Sequence, residues 1–203
     1  PRGGGKVEWT PLYRLAKLEP SEQRLNKRRL KALLGAFGEF PAKYRLLVWR
    51  FLLKLPENRD SFAGLAAKGT HPAYARLEQQ YPIQSRRLFT KLQRTLSCLA
   101  HWSPVMGQVP YLPALAFPFV KLFGTDDLAA FETTMCVLMH WGAGWLDTFP
   151  HPPVPVLNAS EALLRLHDPQ LHAHFVRHGV NAQTFAWSLL RSLFSEVLAK
   201  ADW

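Results

Sequence analysis

The chain has 203 residues, 48% of them apolar and 20% charged, with seven Trp and thirteen Phe. That is enough to bury a sizeable aromatic core, and the balance excludes a disordered tail or a low-complexity linker. A formal charge of +10 points to an acidic partner of some kind: phosphates, an anionic membrane face or an acidic protein.

No apolar run reaches the roughly 18 residues of a membrane span, because proline interrupts the best candidate, and no signal peptide is recognisable. A soluble, intracellular protein is expected, with Cys98 and Cys136 as buried free thiols in a reducing compartment. Pro1-Arg2-Gly3-Gly4-Gly5, without an initiator Met, reads as a flexible lead-in over 1–11 on a segment of a longer protein.

Helical spacing dominates from there on, and nothing reads as a strand followed by a tight hairpin. A short helix is expected over 12–18, stopped by Pro20. Ser21 then suits an N-cap for a helix over 22–37, ended by Gly38. Arg24, Lys27, Arg28, Arg29 and Lys31 make it strongly basic, either a solvated face or a contact for an anionic membrane. Pro41 opens a helix over 41–55, where a first-turn proline costs nothing, and Pro56 closes it. Asn58 caps a helix running to 68, stopped by Gly69. His71-Pro72 starts another to 80. Tyr81-Pro82 breaks the chain before a long helix over 83–102, with Leu88, Leu92, Leu96 and Leu99 on one face and Arg86, Arg87, Lys91 and Arg94 along it.

Residues 103–123 are almost purely apolar yet carry Pro104, Pro110, Pro113 and Pro118. The stretch reads as buried but too broken for one ordinary helix, and buried irregular backbone often marks a functional place. Thr125 is the expected cap of a helix to about 149, apolar nearly all round, with Asp126 and Asp127 opposing its dipole. Pro150, Pro152, Pro153 and Pro155 form a rigid connector and a candidate subdomain seam near 150–157. Asn158 or Ser160 caps a helix to 166, Asp168-Pro169 caps and starts one ended by Gly179, and Asn181 caps a last helix to about 199. The sum is an all-α chain of about eleven helices, 12–203 forming one domain.

Motifs for direct chemistry are absent. His167, His172, His174 and His178 lack a partner Cys or carboxylate at a recognised metal-ligand spacing, so they read as helical surface histidines and no metal is expected. Asp126 and Asp127 are adjacent and diverge on a helix. There is no glycine-rich nucleotide loop.

The order of signals from 40 to 194 nevertheless resembles the TBC domain, the all-helical Rab GTPase-activating module. Phe40-Pro41 followed by Arg45, Trp49, Leu52 and Leu53 looks like the family's opening motif. Leu92, Leu96, Ala100, Trp102, Ser103, Pro104 and Gly107 resemble the helix and turn that lead into its glutamine segment, and Ala114-Leu115-Ala116-Phe117-Pro118-Phe119 the apolar stretch after it. His167-Asp168-Pro169-Gln170-Leu171, Gly179, Phe185 and Leu193-Phe194 resemble the C-terminal part, with Leu189 where the family usually has Trp and Trp187 two residues earlier. The segments 81–87 and 113–118 look most like the WD-repeat-containing branch associated with centrosomes and cilia. That likeness implies WD repeats before this chain, coiled coil after it, and a cytoplasmic location at a cilium or flagellum, basal body or centrosome.

The resemblance implies a V-shaped fold of two helical subdomains whose active members lend a Rab protein two catalytic groups. An Arg offsets charge on the transferring phosphate and a Gln orients the water; an arginine finger alone is worth on the order of 10³–10⁵ in rate. Aligned from Ile83, the Arg position falls on Phe89, and the Asp that would steady it falls on Arg86. Aligned from Gly107, the Gln position falls on Pro110, followed by Tyr111. Neither residue can do the chemistry. The expectation is a monomeric pseudo-GAP: a protein-binding scaffold for a Rab-family GTPase or a ciliary or centrosomal protein, not for nucleic acid, with a groove carrying Arg86, Phe89, Gln108, Pro110 and Tyr111. It has no cofactor of its own, since GTP and magnesium belong to the Rab. Arg45, Trp49, Gly107, Pro118, Asp168 and Pro169 are its structural positions. The alternative is an active GAP in which Arg86, Arg87 and Gln108 supply substitute fingers.

Overall fold

A computed structural model describes residues 20–40, 42–199 and 203. Among them every regular element is helical. The chain divides into two compact units, Pro1–Pro56 and Glu57–Trp203, and the 150–157 connector lies inside the second. The helix expected over 12–18, and Pro41, lie outside the described residues.

In the first unit, α1 spans Pro20–Phe37 and α2 Ala42–Leu53. Ser21 lies within α1 rather than ahead of it. Gly38 ends α1 as expected: its φ of +77° suits glycine, and its N–H returns to the Leu34 carbonyl at 2.8 Å. α2 stops before 55, where Lys54 turns left-handed at φ +51°. Leu30 and Val48 form the buried centre, with Phe40, Tyr44, Leu47 and Phe51 against it. Arg45 and Trp49 sit half-buried one turn apart on α2, while Lys27, Arg28 and Lys31 are exposed on α1. The side chains of Arg24 and Arg29 lie outside the description.

The second unit opens with α3, Arg59–Ala66, whose cap is Asn58: its Oδ1 accepts the Ser61 N–H at 3.0 Å. The helix expected to 80 is split into a 3-10 turn, Pro72–Tyr74, and α4, Leu77–Gln80. α5, Arg86–Trp102, starts three residues later than expected because Ser85 takes the cap, its Oγ accepting the Leu88 N–H at 3.4 Å. Leu92, Leu96 and Leu99 are fully buried, as their spacing predicts, and Leu88 is half-buried.

The stretch 103–123 is less broken than expected. After a 3-10 turn at Pro104–Gly107, α6 runs regularly over Leu112–Phe123. Pro113 falls in its first turn, where nothing is lost; Pro118 sits inside and gives up one backbone hydrogen bond within a buried helix. α7, Asp127–His140, is capped by Asp126 rather than Thr125, with Asp126 Oδ1 accepting the Ala129 N–H at 2.9 Å. It ends well before 149: the N–H groups of Trp141 and Gly142 both turn back to the Val137 carbonyl. Met139 in its last turn is 47% exposed, so this helix is not buried all round, and Trp141 just past its end is 71% exposed. α8, Ala143–Leu146, carries buried Trp145. Helices α5, α6 and α7 pack on one another and form the core.

α9, Val154–His167, begins ahead of the expected caps, because Pro153 and Pro155 fit the cap and first turn; Ser160 instead donates to the Val156 carbonyl inside the helix. α10, Pro169–Arg177, has the expected cap, Asp168 Oδ1 accepting the Leu171 N–H at 3.0 Å. Asn181 caps as expected, accepting the Thr184 N–H at 3.2 Å. The helix after it is not continuous: a π-turn at Gln183–Trp187 leads into α11, Ser188–Leu190, and Leu193 and Phe194 then turn left-handed. Leu157, Ala182 and Ala186 form a separate small core with Phe185, Trp187 and Leu190. Cys98 is buried, its thiol pushed up to about 11 by desolvation; Cys136 is only half-buried, unlike the expectation. Among the described residues no helix is long and apolar enough to cross a membrane.

Candidate functional site

The loop between α5 and α6 holds the Gln position, and two tyrosines fix its ends. The Tyr74 hydroxyl donates to the Met106 carbonyl at 2.6 Å, and Gln93 Nε2 donates to the Tyr74 carbonyl at 2.9 Å. Burial pushes the Tyr74 phenol far above its ordinary value, so it remains a donor. Gly107 passes close under this anchor: a Cβ there would lie 3.2 Å from His71 Cε1 and 3.4 Å from Ala73 Cβ, which explains the glycine by packing. At the other end, the Tyr81 hydroxyl donates to the Pro110 carbonyl at 3.3 Å. The segment leading into α5 and the loop leading into α6 therefore meet directly.

Tyr111 packs into an aromatic triad. Its ring centre lies 5.1 Å from Trp187 and 6.2 Å from Trp145, and the two tryptophans lie 5.3 Å apart, all edge-to-face. Trp187 thus acts at a distance in sequence, from the end of the π-turn. The Tyr111 hydroxyl is buried and makes no hydrogen bond among the described residues, and burial raises its pKa. Tyr111→Phe removes that unsatisfied group and keeps the ring, so the melting temperature is expected to stay or rise, by up to about 1 kcal/mol of stability. A loss above that in thermal denaturation would show a hidden partner for the hydroxyl.

Arg86 and Arg87 are exposed in the first turn of α5, and Phe89 is half-buried one turn on. Gln108 and Pro110 are exposed. Among the described residues no hydrogen bond, ion pair or ring contact joins Arg86 or Phe89 to Gln108 or Pro110; the link between their segments is Tyr81, which entered the sequence reading as a chain break and as part of the 81–87 likeness, with no sign of this contact. That reading also missed the partners of the other α5 cations. Lys91 Nζ and Arg94 Nη1 each lie 2.7 Å from a carboxylate oxygen of Asp127, joining α5 to the first turn of α7. Asp127 therefore has a tertiary role beyond the helix dipole. Pro118 is buried in α6.

The histidines do not converge. His172 Nε2 lies 3.5 Å from Glu161 Oε1, and the His174 and His178 rings are 4.4 Å apart. Among the described residues no group of three or more His, Cys, Asp or Glu is placed to hold a metal.

No family model matches the chain. Over 179 residues, 88% of its length, it is 54% identical to "TBC1 domain family member 31" of Xenopus laevis, 50% to the protein of that name from Mus musculus and 49% to that from Homo sapiens. The aligned region is 16–18% of the length of these relatives, so the chain spans about a sixth of them.

Proposed function

We infer that this chain is a TBC domain, all-α and Rab-GAP-like, and we propose that it works as a protein-binding module without GAP activity of its own. The likeness to the relatives' TBC naming and the all-helical architecture support the first part. The observation that carries the second is the pair of residues at the finger positions. Phe89 is half-buried and uncharged, and Pro110 offers neither a side-chain amide nor an N–H, while its carbonyl is engaged by Tyr81. The proposed partner is a small GTPase of the Rab family or a ciliary or centrosomal protein, bound at the surface carrying Arg86, Phe89, Gln108 and Pro110, with Tyr111 packed into its aromatic triad beside Pro110 rather than presented to the partner. The whole protein is proposed to be the WD-repeat-containing branch member at the cilium, basal body or centrosome.

A GTP-hydrolysis screen against a Rab panel tests this. Unchanged rates support a binding module. Acceleration that disappears in Arg86→Ala or Gln108→Ala overturns it in favour of an active GAP with substitute fingers, a reading favoured by the exposure of both residues.

The exposed Lys27, Arg28 and Lys31 support a further contact with anionic membrane. At about 1 kcal/mol per cation near such a surface, changing all three to Glu is expected to weaken co-sedimentation with phosphatidylserine vesicles by about 100-fold or more. Equal binding by the reversed variant removes this contact.

A further inference from the structure

We propose that His71 is an acid-sensitive latch for the loop between α5 and α6: the neutral imidazole holds the loop's first half, and the imidazolium releases it. The consequence for a partner rests on the reading above; the latch itself does not.

His71 caps the 3-10 turn Pro72–Tyr74 with its ring, Nδ1 accepting the Ala73 N–H at 3.2 Å. An accepting Nδ1 carries no proton, so the neutral ring carries its hydrogen on Nε2. The backbone is fixed from the other side. The His71 N–H donates to Ser97 Oγ at 3.0 Å, and Ser97 is buried on α5.

Two routes lead from this ring to the loop. The first is direct. A Cβ on Gly107 would lie 3.2 Å from His71 Cε1, 3.4 Å from Ala73 Cβ and 3.6 Å from Ala100 Cβ, so the loop backbone rests against the imidazole with methyl carbons beside it. The second runs through Tyr74, the last residue of the capped turn, whose hydroxyl donates to the Met106 carbonyl at 2.6 Å. Both routes end immediately before Gln108.

A proton on Nδ1 breaks both. Nδ1–H then faces the Ala73 N–H, two donors with no acceptor between them, and the cap is lost. A charged ring is also ill placed among methyl carbons and gains by turning to water. The neighbouring groups oppose the charge further. On α5, the His101 ring centre lies 5.0 Å away. His101 Nε2 meets the Gly69 carbonyl at 3.1 Å in the last turn of α5, a bond that an imidazolium also makes and a place where the helix dipole favours a cation. A proton on His101 is therefore tolerated, and a second on His71 meets a like charge. Arg94 lines the hollow beside Gly69, Thr70 and Ser97, with Cys98, whose thiol burial keeps neutral. Asp127, the one carboxylate near these groups, is already held by Lys91 and Arg94. Lys68 is exposed just before Gly69. The Tyr74 phenol, 6.5 Å away between ring centres, stays protonated, and residues 103–110 carry no charged side chain. The latch is thus closed where histidine is neutral and opens as pH falls through the range, roughly pH 8 to 5, in which histidine gains its proton.

The test measures hydrogen exchange by NMR in the 203-residue chain at about pH 7.5 and about pH 5.5, corrected for the intrinsic rate at each pH. It follows the Met106 and Gln108 N–H groups, which donate to the Ser103 and Val105 carbonyls at 2.9 Å. Their protection is expected to fall about tenfold in acid, the size of effect that losing a cap produces. His71→Asn, whose side-chain oxygen caps without titrating, should change less than about twofold. His101→Gln keeps an N–H for the Gly69 carbonyl and should still show the full fall. Protection that does not respond to pH overturns the proposal. So does a fall that survives in His71→Asn, or one that His101→Gln abolishes, since the proton would then act elsewhere. If His71→Asn does not fold, the parent decides: the fall must track the His71 Cε1–H resonance through the same titration, and separate midpoints overturn the latch. No partner enters the measurement, so its outcome is independent of whether this surface binds a Rab.

Discussion

Glu132→Ala is expected to lower the melting temperature of this chain by roughly 6–20 °C. Glu132 lies on the inner face of α7, only 2% exposed. Its Oε1 accepts the Asn58 N–H at 2.8 Å and its Oε2 the Glu57 N–H at 3.0 Å, so one carboxylate holds the chain where it enters α3 from 74 and 75 residues away. Glu57 sits at φ +52°, a left-handed conformation that a residue with a side chain adopts only when its surroundings enforce it. Hydrogen bonds to a charged group contribute about 1.5–3 kcal/mol each, and the truncation also leaves two N–H groups unpaired. A loss of about 3–5 kcal/mol follows, and each kcal/mol moves the midpoint of a chain this size by about 2–4 °C. Glu132→Gln should fall between, because its amide oxygen can accept one bond while its NH₂ is turned against the second donor. Thermal unfolding followed by circular dichroism reads the effect, and an alanine variant melting with the parent would mean that the entry to α3 is held by other groups.

Purified chain added to GTP-loaded Rab proteins is expected to leave hydrolysis within about twofold of the intrinsic rate, whereas an arginine finger supplied in trans raises such rates by on the order of 10³–10⁵. The gap is wide enough that partial rescue would be visible. Rescue by Arg86 would have to work from the first turn of α5, one turn short of Phe89, about 5 Å along the axis. Errors of about 1 Å in such a group cost on the order of a hundredfold. Rescue by Gln108 would have to come from two residues before Pro110, in a loop tied at Met106 by Tyr74 and at Pro110 by Tyr81. A single-turnover assay with parent, Arg86→Ala and Gln108→Ala chains should return three indistinguishable rates. An acceleration of hundredfold in the parent that either variant removes would establish non-standard fingers.

Much of the helical layout was legible because its signals are local. Asn58, Asp168 and Asn181 cap where their side chains can reach an N–H three residues on, and Gly38, Gly69 and Gly179 adopt the positive φ that ends a helix. The apolar spacing of α5 predicted its buried leucines. The failures were also local, between competing signals. Ser85 outbid the apolar pattern for the start of α5, and Asp126 outbid Thr125 at α7. Prolines read as breaks at 113, 118 and 155 were accommodated, because a first turn lacks nothing without an N–H and tertiary burial offsets one missing bond. No residue pattern signalled the π-turn before Trp187.

The candidate site divides in the same way. The sequence by itself determined the chemistry available: Phe89 and Pro110 carry neither a cation nor an amide, whatever surrounds them. It also determined an all-α chain, since helical period, caps and breakers are properties of neighbours within a few residues. Only the tertiary structure decided which distant groups meet. Tyr81 reaches Pro110, Tyr111 finds Trp145 and Trp187, Asp127 gathers Lys91 and Arg94, and Glu132 holds Glu57 and Asn58. Each of these pairs is separated by tens of residues, and many partners satisfy the same donor, ring or charge equally well until packing leaves one in reach. That selection is made by the shape of the folded core, which no local pattern encodes.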